Sequence, residues 1–205
     1  MDRRKFIQLG AGTAALAGSA LAFPLAAQTA LNTVQSRAET VSFYKVIVDE
    51  YSLEAQAFGS EMSSLGNDIY SVGNDVTDLW STVLVPQWAK ESKAIAGLTT
   101  MSTFVILEQM ARDAWMTVAY KGVHDVNESG AFVHSLHGPD NMVKKASTLL
   151  ENRAWTHSVA QAILATPMSP LRQAKASNNI VTTGTLSNQL VSWVIAPISG
   201  VRAAV

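Results

Sequence analysis

The chain has 205 residues and a formal net charge of −1, with 48% hydrophobic and 15% charged residues. This composition excludes a disordered chain, and the lack of a basic excess gives no electrostatic support for nucleic-acid binding. The sequence contains no cysteine, which excludes disulfides, thiol nucleophiles and cysteine-ligated clusters, so any metal would need His, Asp or Glu ligands.

The start of the chain has the three-part layout of a secretory signal. Residues 2–8 are polar and basic, and residues 9–23 are uncharged and rich in Ala and Gly. The apolar run is too short for a membrane span, and small residues of the kind found near a signal-peptidase site follow it. We therefore predict a signal peptide over residues 1–27 and a linker over 28–41, with membrane attachment only if the signal stays uncleaved.

The basic part of this signal resembles the twin-arginine (Tat) motif, Ser/Thr-Arg-Arg-x-Phe-Leu-Lys. Arg3, Arg4 and Phe6 match the motif, whereas Asp2 and Gln8 depart from it. The resemblance implies passage through the Tat translocase in a folded state and a periplasmic location. An ordinary Sec signal that contains a chance arginine pair is the alternative.

The chain after the linker alternates between short β-rich runs and helical runs. In the clearest helical run, Phe104, Leu107 and Ala111 recur at helical spacing. Such alternation predicts one α/β domain over residues 42–205, with a three-layer, mostly parallel sheet of about five strands and helices on both faces, as in Rossmann-like and flavodoxin-like folds. The predicted strands cover 43–49, 68–72, 94–98, 116–121 and 189–197, and the predicted helices cover 52–66, 75–90 and 100–115.

The alternation stops after the fourth predicted strand. Residues 122–141 contain three glycines and a proline, which predict a loop. Residues 142–165 predict one long helix or two shorter ones. Residues 172–188 are rich in Ser, Thr, Asn and Gly and predict irregular structure.

Candidate ligand-binding residues follow from the rule that ligands bind beyond the carboxyl ends of strands in open parallel sheets. The stretch from Gly97 to Thr100 leaves a strand and begins a helix, so its free N–H groups could bind an anion. In the alternative interpretation, one threonine merely caps the helix. The candidate set is Asp49, Asp75, Gly97, Thr99, Thr100 and His124.

Three histidines lie close together in the predicted loop. His124, His134 and His137 could ligate a metal if the loop folds back on itself, with Asp125 or Asp140 adding an oxygen. Solvated loop histidines are the alternative. No cofactor motif accompanies them, so the sequence identifies no cofactor and leaves open whether the protein is an enzyme.

Two regions of the chain resemble a known group of proteins. At "DVTDLW…VPQW…AIAGLT…LEQMARDAWM" and at "LVSWVIAP", the sequence is similar to short Tat-leader proteins from proteobacteria that have no assigned activity. The resemblance covers about residues 43–124 and the C-terminal region, implies an exported domain, and supplies no catalytic residues. The leader also resembles those of Tat-bearing small subunits of periplasmic dehydrogenases such as gluconate dehydrogenase.

Two functional hypotheses follow. In the first, the chain is an exported periplasmic α/β protein that binds a small ligand, such as an anion, at the strand ends. This hypothesis predicts titratable residues lining a pocket near Thr99 and His124. In the second, the chain is a non-catalytic accessory or escort subunit of a Tat-exported periplasmic oxidoreductase. It predicts an exposed apolar patch on the helix at 142–165.

Overall fold

A computed structural model of the protein describes residues 43–151, 154–164, 175–182, 186 and 188–198. The predicted signal and linker, with Arg3, Arg4 and Phe6, lie outside these residues. The strands are β1 (Val46–Asp49), β2 (Ile69–Val72), β3 (Ile95–Thr100), β4 (Met116–Val126), β5 (Phe132–Pro139), β6 (Lys175–Thr182) and β7 (Leu190–Pro197). The helices are α1 (Leu53–Ser64), α2 (Val85–Trp88), α3 (Met101–Asp113), α4 (Asp140–Leu150) and α5 (Trp155–Leu164), and a π-helical turn, Leu79–Leu84, leads into α2.

The seven described strands form one mixed sheet in the order β2–β1–β3–β7–β4–β5–β6. Strand β1 is parallel to β2 and to β3. The other four neighbouring pairs are antiparallel. The prediction of a mostly parallel, five-stranded, Rossmann-like or flavodoxin-like sheet is therefore wrong. It failed because the last strand, β7, inserts between β3 and β4, and because β4 and β5 form a hairpin.

The predicted loop over 122–141 is also wrong. Most of it belongs to the β4–β5 hairpin, and β6 occupies part of the segment predicted to be irregular. Gly122 does not break its strand but allows close packing. A Cβ atom at this position would lie 2.6 Å from Ser192 Oγ and 2.7 Å from Tyr120 Oη. A glycine required for a close approach looks the same in a sequence as a glycine required for a turn.

The turn of this hairpin has its own local chemistry. Asn127 Oδ1 accepts hydrogen bonds from the backbone N–H groups of Ser129 and Ala131, at 3.1 and 2.9 Å. Gly130 has a φ of 78°, which a residue with a Cβ atom rarely adopts. Here the glycine does mark a reversal of the chain, so only the tip of the predicted loop is a turn.

The predicted helix starts and stops are mostly confirmed. Ser52 caps α1 by accepting a hydrogen bond from the N–H of Ala55 at 3.1 Å, and Thr100 caps α3. Pro86 lies in the first turn of α2, a position at which the missing N–H group of proline is tolerated. The residues before it form the π-helical turn. The helix predicted from residue 75 begins at Thr77, whose N–H donates to Asp75 Oδ1 at 2.8 Å.

Helices pack on the two faces of the sheet and bury two separate apolar cores. The first core joins α1, α4 and α5 to one face, where Phe58, Val143 and Val194 are buried. The second joins α3 and the π-helical turn to the other face, where Phe104 and Trp193 are buried. Among the described helices, none is long and apolar enough to span a membrane.

Candidate functional site

The candidate carboxylates at the ends of β1 and β2 form local turns. Asp49 is buried, and its Oδ1 accepts hydrogen bonds from the N–H groups of Tyr51 and Ser52, both at 3.0 Å. Asp75 is exposed and accepts from the N–H of Thr77 at 2.8 Å. Hydrogen bonds from Thr77 lower the pKa of Asp75. Both carboxylates therefore satisfy backbone donors of their own turns.

The candidate anion site at the end of β3 is also occupied by contacts within the protein. Gly97 faces Trp193, and a Cβ at Gly97 would overlap the indole and lie 2.6 Å from the carbonyl oxygen of Ile47. Thr99 Oγ1 accepts a hydrogen bond from Trp193 Nε1 at 3.0 Å. Thr100 Oγ1 accepts from the N–H of Thr103 at 3.4 Å. These contacts match the capping alternative and give each residue a role in the fold.

His124 and His134 come together in the middle of the β4–β5 hairpin. They are directly opposite in the antiparallel register, so both side chains point to the same face of the sheet. Both are buried, and their Nδ1 atoms are 2.7 Å apart. His137 is exposed. It lies three residues beyond His134 on the same strand and therefore faces the other side. The structure thus brings together two of the three candidate metal ligands.

Hydroxyl groups from two other strands hold the outer nitrogens of this histidine pair. His124 Nε2 lies 2.8 Å from Ser192 Oγ, and His134 Nε2 lies 3.0 Å from Thr182 Oγ1. Ser192 Oγ, which has a single hydrogen to donate, also lies 3.4 Å from Tyr120 Oη and 3.5 Å from the carbonyl oxygen of Gly122. The result is a continuous hydrogen-bonded row across four strands, from Tyr120 to Thr182.

Aromatic rings enclose the pair. The Trp155 ring, at the start of α5, is centred 4.6 Å from that of His124 and 5.8 Å from that of His134. The Phe132 ring is 4.3 Å from that of His134. These contacts leave the imidazoles in an apolar environment in which every ring nitrogen still has a hydrogen-bond partner.

Burial controls the protonation of this row. It lowers the pKa of His124 well below the usual value, and repulsion from His134 lowers it further. Burial also lowers the pKa of His134 to about 4 and raises that of Tyr120 to about 12. Both imidazoles are therefore neutral at pH 7. One of the facing Nδ1 atoms must carry a hydrogen and the other must accept it. The hydrogen bonds of the row therefore all run the same way, either from Ser192 towards Thr182 or from Thr182 towards Ser192.

A surface pocket adjoins the row at Thr182 and Trp155. Its volume is about 380 Å³. Strands β4 and β6 are both antiparallel to β5, so Thr182 and His124 lie near the carboxyl ends of their strands, at the same edge of the sheet. The lining residues are Leu150, Glu151, Ala154, Trp155, Thr156, Val181 and Thr182.

Sequence reasoning missed Ser192, Tyr120, Thr182 and Trp155. Phe132 and Leu136, each two positions from His134, could have placed His134 on an inward face, had the segment been recognised as a strand. No spacing in the sequence relates Ser192 to His124, because the two are 68 residues apart.

The apolar patch expected from the escort hypothesis is not found on α4 or α5. Among the described residues, the large apolar side chains that are most exposed lie elsewhere, as at Tyr51, Leu53 and Trp115. Within the described part of the chain, no group of three or more His, Asp or Glu side chains could together hold a metal ion.

No protein-family model matches the sequence, and no similar protein was found among curated proteins or solved structures. Fold and site together define a mixed α/β protein in which a buried histidine pair lies beside a surface pocket.

Proposed function

We propose that this protein is exported to the periplasm, where it binds a small, uncharged or cationic ligand in the pocket between Trp155 and Thr182. The observation that carries the proposal is that this pocket touches the buried histidine row through both residues. Pockets with an aromatic wall and a few fixed polar groups are typical of small-molecule sites. Export itself is supported by the Tat-like leader.

The charge of the pocket supports a ligand other than an anion. Glu151 is the charged residue among the described lining residues, which include no Lys or Arg. A carboxylate beside an apolar wall repels an anion and attracts a cation or a hydrogen-bond donor. The half-buried Trp155 ring offers a flat surface on which an unsaturated or cationic group can stack.

Fixed polar groups would orient such a ligand. Thr182 Oγ1 is hydrogen-bonded to His134 Nε2, so its direction is set by a buried residue and not by solvent. Its remaining hydrogen-bonding capacity can serve a ligand. The neutral imidazoles behind the wall add no charge at pH 7, which leaves Glu151 as the charged group among the described lining residues.

A matched ligand screen tests this proposal. Aromatic cations, their uncharged analogues and their carboxylate analogues are each added to the purified full chain, and binding is measured by thermal shift and calorimetry. We expect the cations to bind, the uncharged analogues to bind more weakly and the carboxylates not to bind. Glu151→Gln should weaken cation binding about tenfold, which corresponds to about 1.4 kcal/mol.

Two control substitutions outside the pocket test whether a change in affinity is specific to the pocket residues. Glu91→Gln removes an exposed carboxylate elsewhere, and Trp115→Phe alters an exposed tryptophan elsewhere. Both should leave affinity unchanged, whereas Trp155→Phe should reduce it. Equal binding of carboxylate and cation analogues, or affinity that survives both Glu151→Gln and Trp155→Phe, would reject the proposal.

A further inference from the structure

We propose that the buried histidine row presents the Thr182 hydroxyl to the pocket as a hydrogen-bond donor, so that the pocket selects a ligand with an acceptor atom as well as a group that binds Glu151. The ligand class, which rests on the proposed function, is then a small planar cation or N–H donor that also carries a carbonyl, ether or ring-nitrogen acceptor. The direction in which the hydrogen bonds of the row run decides this.

One direction gives every donor inside the row a close acceptor. Ser192 donates to His124 Nε2 at 2.8 Å, and His124 Nδ1 donates to His134 Nδ1 at 2.7 Å. His134 Nε2 then donates to Thr182 Oγ1 at 3.0 Å. All three contacts are short enough for good hydrogen bonds. Because Thr182 Oγ1 accepts from the histidine, its own hydrogen is left to bond to a group in the pocket.

The opposite direction leaves Ser192 with a poor acceptor. If His124 donates to Ser192 Oγ, the single hydrogen of Ser192 must find another partner in the buried interior. The described candidates are Tyr120 Oη at 3.4 Å and the carbonyl oxygen of Gly122 at 3.5 Å, and both contacts are long for an O–H donor. A buried hydroxyl without a good acceptor is destabilising, which favours the first direction.

Tyr120 strengthens this preference. Burial raises the pKa of its hydroxyl to about 12, so the group keeps its hydrogen at pH 7. Among the described residues, its hydrogen-bond contact is with Ser192 Oγ, so Tyr120 must donate there and cannot accept the Ser192 hydrogen in the same contact. Of the two acceptors that remain for Ser192, His124 Nε2 lies at 2.8 Å and the Gly122 carbonyl oxygen at 3.5 Å. The hydrogen bonds therefore run from Tyr120 towards Thr182.

The pocket then has two polar groups of opposite hydrogen-bonding character. Glu151 accepts hydrogen bonds and attracts a cation, whereas the half-buried Thr182 donates. A ligand that carries donors alone would displace water from Thr182 and leave the threonine hydrogen without an acceptor. A ligand that satisfies both residues has a cationic or N–H group and a separate acceptor on a frame flat enough to lie against Trp155.

NMR of the ligand-free full chain tests the direction of the row. In ¹⁵N spectra at pH 7, we expect hydrogen on Nδ1 of His124 and on Nε2 of His134. Thr182→Val changes the partner of His134 and so identifies its signals, while His137→Asn and His157→Asn identify the other histidines of the chain. Hydrogen on Nε2 of His124 and on Nδ1 of His134, or an equal mixture of the two states, would overturn the proposal.

Matched probes test the ligand class by calorimetry. 4-Acetylbenzylamine is a cation at pH 7 with a carbonyl acceptor, and 4-isopropylbenzylamine has a similar shape but a methyl group in place of the oxygen. The 3-substituted isomers provide a second spacing. For the better-fitting isomer, the ratio of acetyl to isopropyl affinity should be about three- to tenfold higher in the wild type than in Thr182→Val, because only the wild type donates to the carbonyl. Thr182→Ser keeps the hydroxyl and should retain the wild-type ratio.

The outcomes separate the ligand class from the proposed function. If the probes bind but the affinity ratio is the same in the wild type and Thr182→Val, the pocket is a cation site without the acceptor preference, and the present proposal is wrong. A ratio lost equally in Thr182→Ser and Thr182→Val would also overturn it, because packing of the threonine methyl would then be the cause. If none of the four probes binds, the proposed function and the ligand class fail together, while the NMR spectra still decide the direction of the row. NMR spectra also establish that each variant is folded before binding is compared.

Discussion

The two halves of the sheet differ in how they use polar side chains. In the parallel half, β2–β1–β3, the polar groups at the strand ends bond to nearby backbone or cap a helix, as Asp49 and Thr100 do. In the antiparallel half, β7–β4–β5–β6, a pair of histidines is buried and bonded across strands to Ser192 and Thr182. Five of the six residues selected by the carboxyl-end rule are thus already used by the fold in or beside the parallel half. The sixth, His124, belongs to the buried row in the half built from distant segments.

Sequence separation explains this difference. Asp49 and Ser52 are three residues apart, whereas His124 and Ser192 are 68 apart. A local turn can satisfy its polar groups as soon as it forms. A buried row of histidines and hydroxyl groups is satisfied only when all its strands are paired, and until then each polar group prefers water.

The largest expected effect is a dependence of stability on pH that arises in the antiparallel half. In the folded state the pKa of His134 is lowered to about 4 and that of His124 is also lowered, from an ordinary value near 6.5. The unfolded chain therefore binds more protons below pH 6.5, so stability is full above that pH and falls as the pH drops. We expect a loss of about 4 kcal/mol between pH 7 and pH 5 for the two groups together.

Urea unfolding of the full chain at several pH values measures this slope. The double variant His124→Asn/His134→Asn should be less stable at pH 7 but nearly independent of pH over the same range. His137→Asn should keep the wild-type slope. If wild type and double variant had equal slopes, the pH dependence would arise outside the histidine pair.

The second-largest expected effect is a loss of stability at the β3–β7 pair, where the two halves of the sheet join. Gly97→Ala would push a methyl group into Trp193 and to 2.6 Å from the carbonyl oxygen of Ile47. Overpacking against both an indole and a backbone atom should cost about 3 kcal/mol in the free energy of unfolding. The measurement is urea unfolding at pH 7.

Gly59→Ala provides the comparison for Gly97→Ala. Gly59 lies within α1, where a Cβ atom would be 3.1 Å from a methyl group of Val48. The gain in helix propensity, about 1 kcal/mol, offsets this tight contact, so stability should change by less than about 1 kcal/mol. A Gly97→Ala variant as stable as Gly59→Ala would show that the sheet adjusts at the junction.

The smallest expected effect is the loss of stability when either of two carboxylates in the parallel half is replaced by alanine. Asp49→Ala leaves the N–H groups of Tyr51 and Ser52 without their acceptor at a buried position, which should cost about 2 kcal/mol. Asp75→Ala removes a similar contact at an exposed position and should cost less than about 0.5 kcal/mol. Asp49→Asn retains an acceptor oxygen and should recover most of the loss. Equal costs for the two alanine variants would contradict the structural role of Asp49.

Local patterns predicted much of the N-terminal part of the described chain. Periodicity located β1, β2, β3, α1 and α3, and the caps at Ser52 and Thr100 follow from residue type. The glycines of 122–141 misled the same reasoning, because Gly122 allows close packing inside a strand. The sequence selected His124 and His134 as possible partners but assigned them to a loop, so it could not predict that His137 faces away from them.

By itself, the sequence determined where most helices and strands form and which residues end them, because these choices depend on side chains within a few positions of one another. It also supplied the two histidines. The tertiary structure alone decided that β7 lies between β3 and β4, that most neighbouring strands are antiparallel, and that Ser192 and Thr182 hold the histidine pair. These features depend on the joint burial of distant segments, which leaves no local pattern in the sequence.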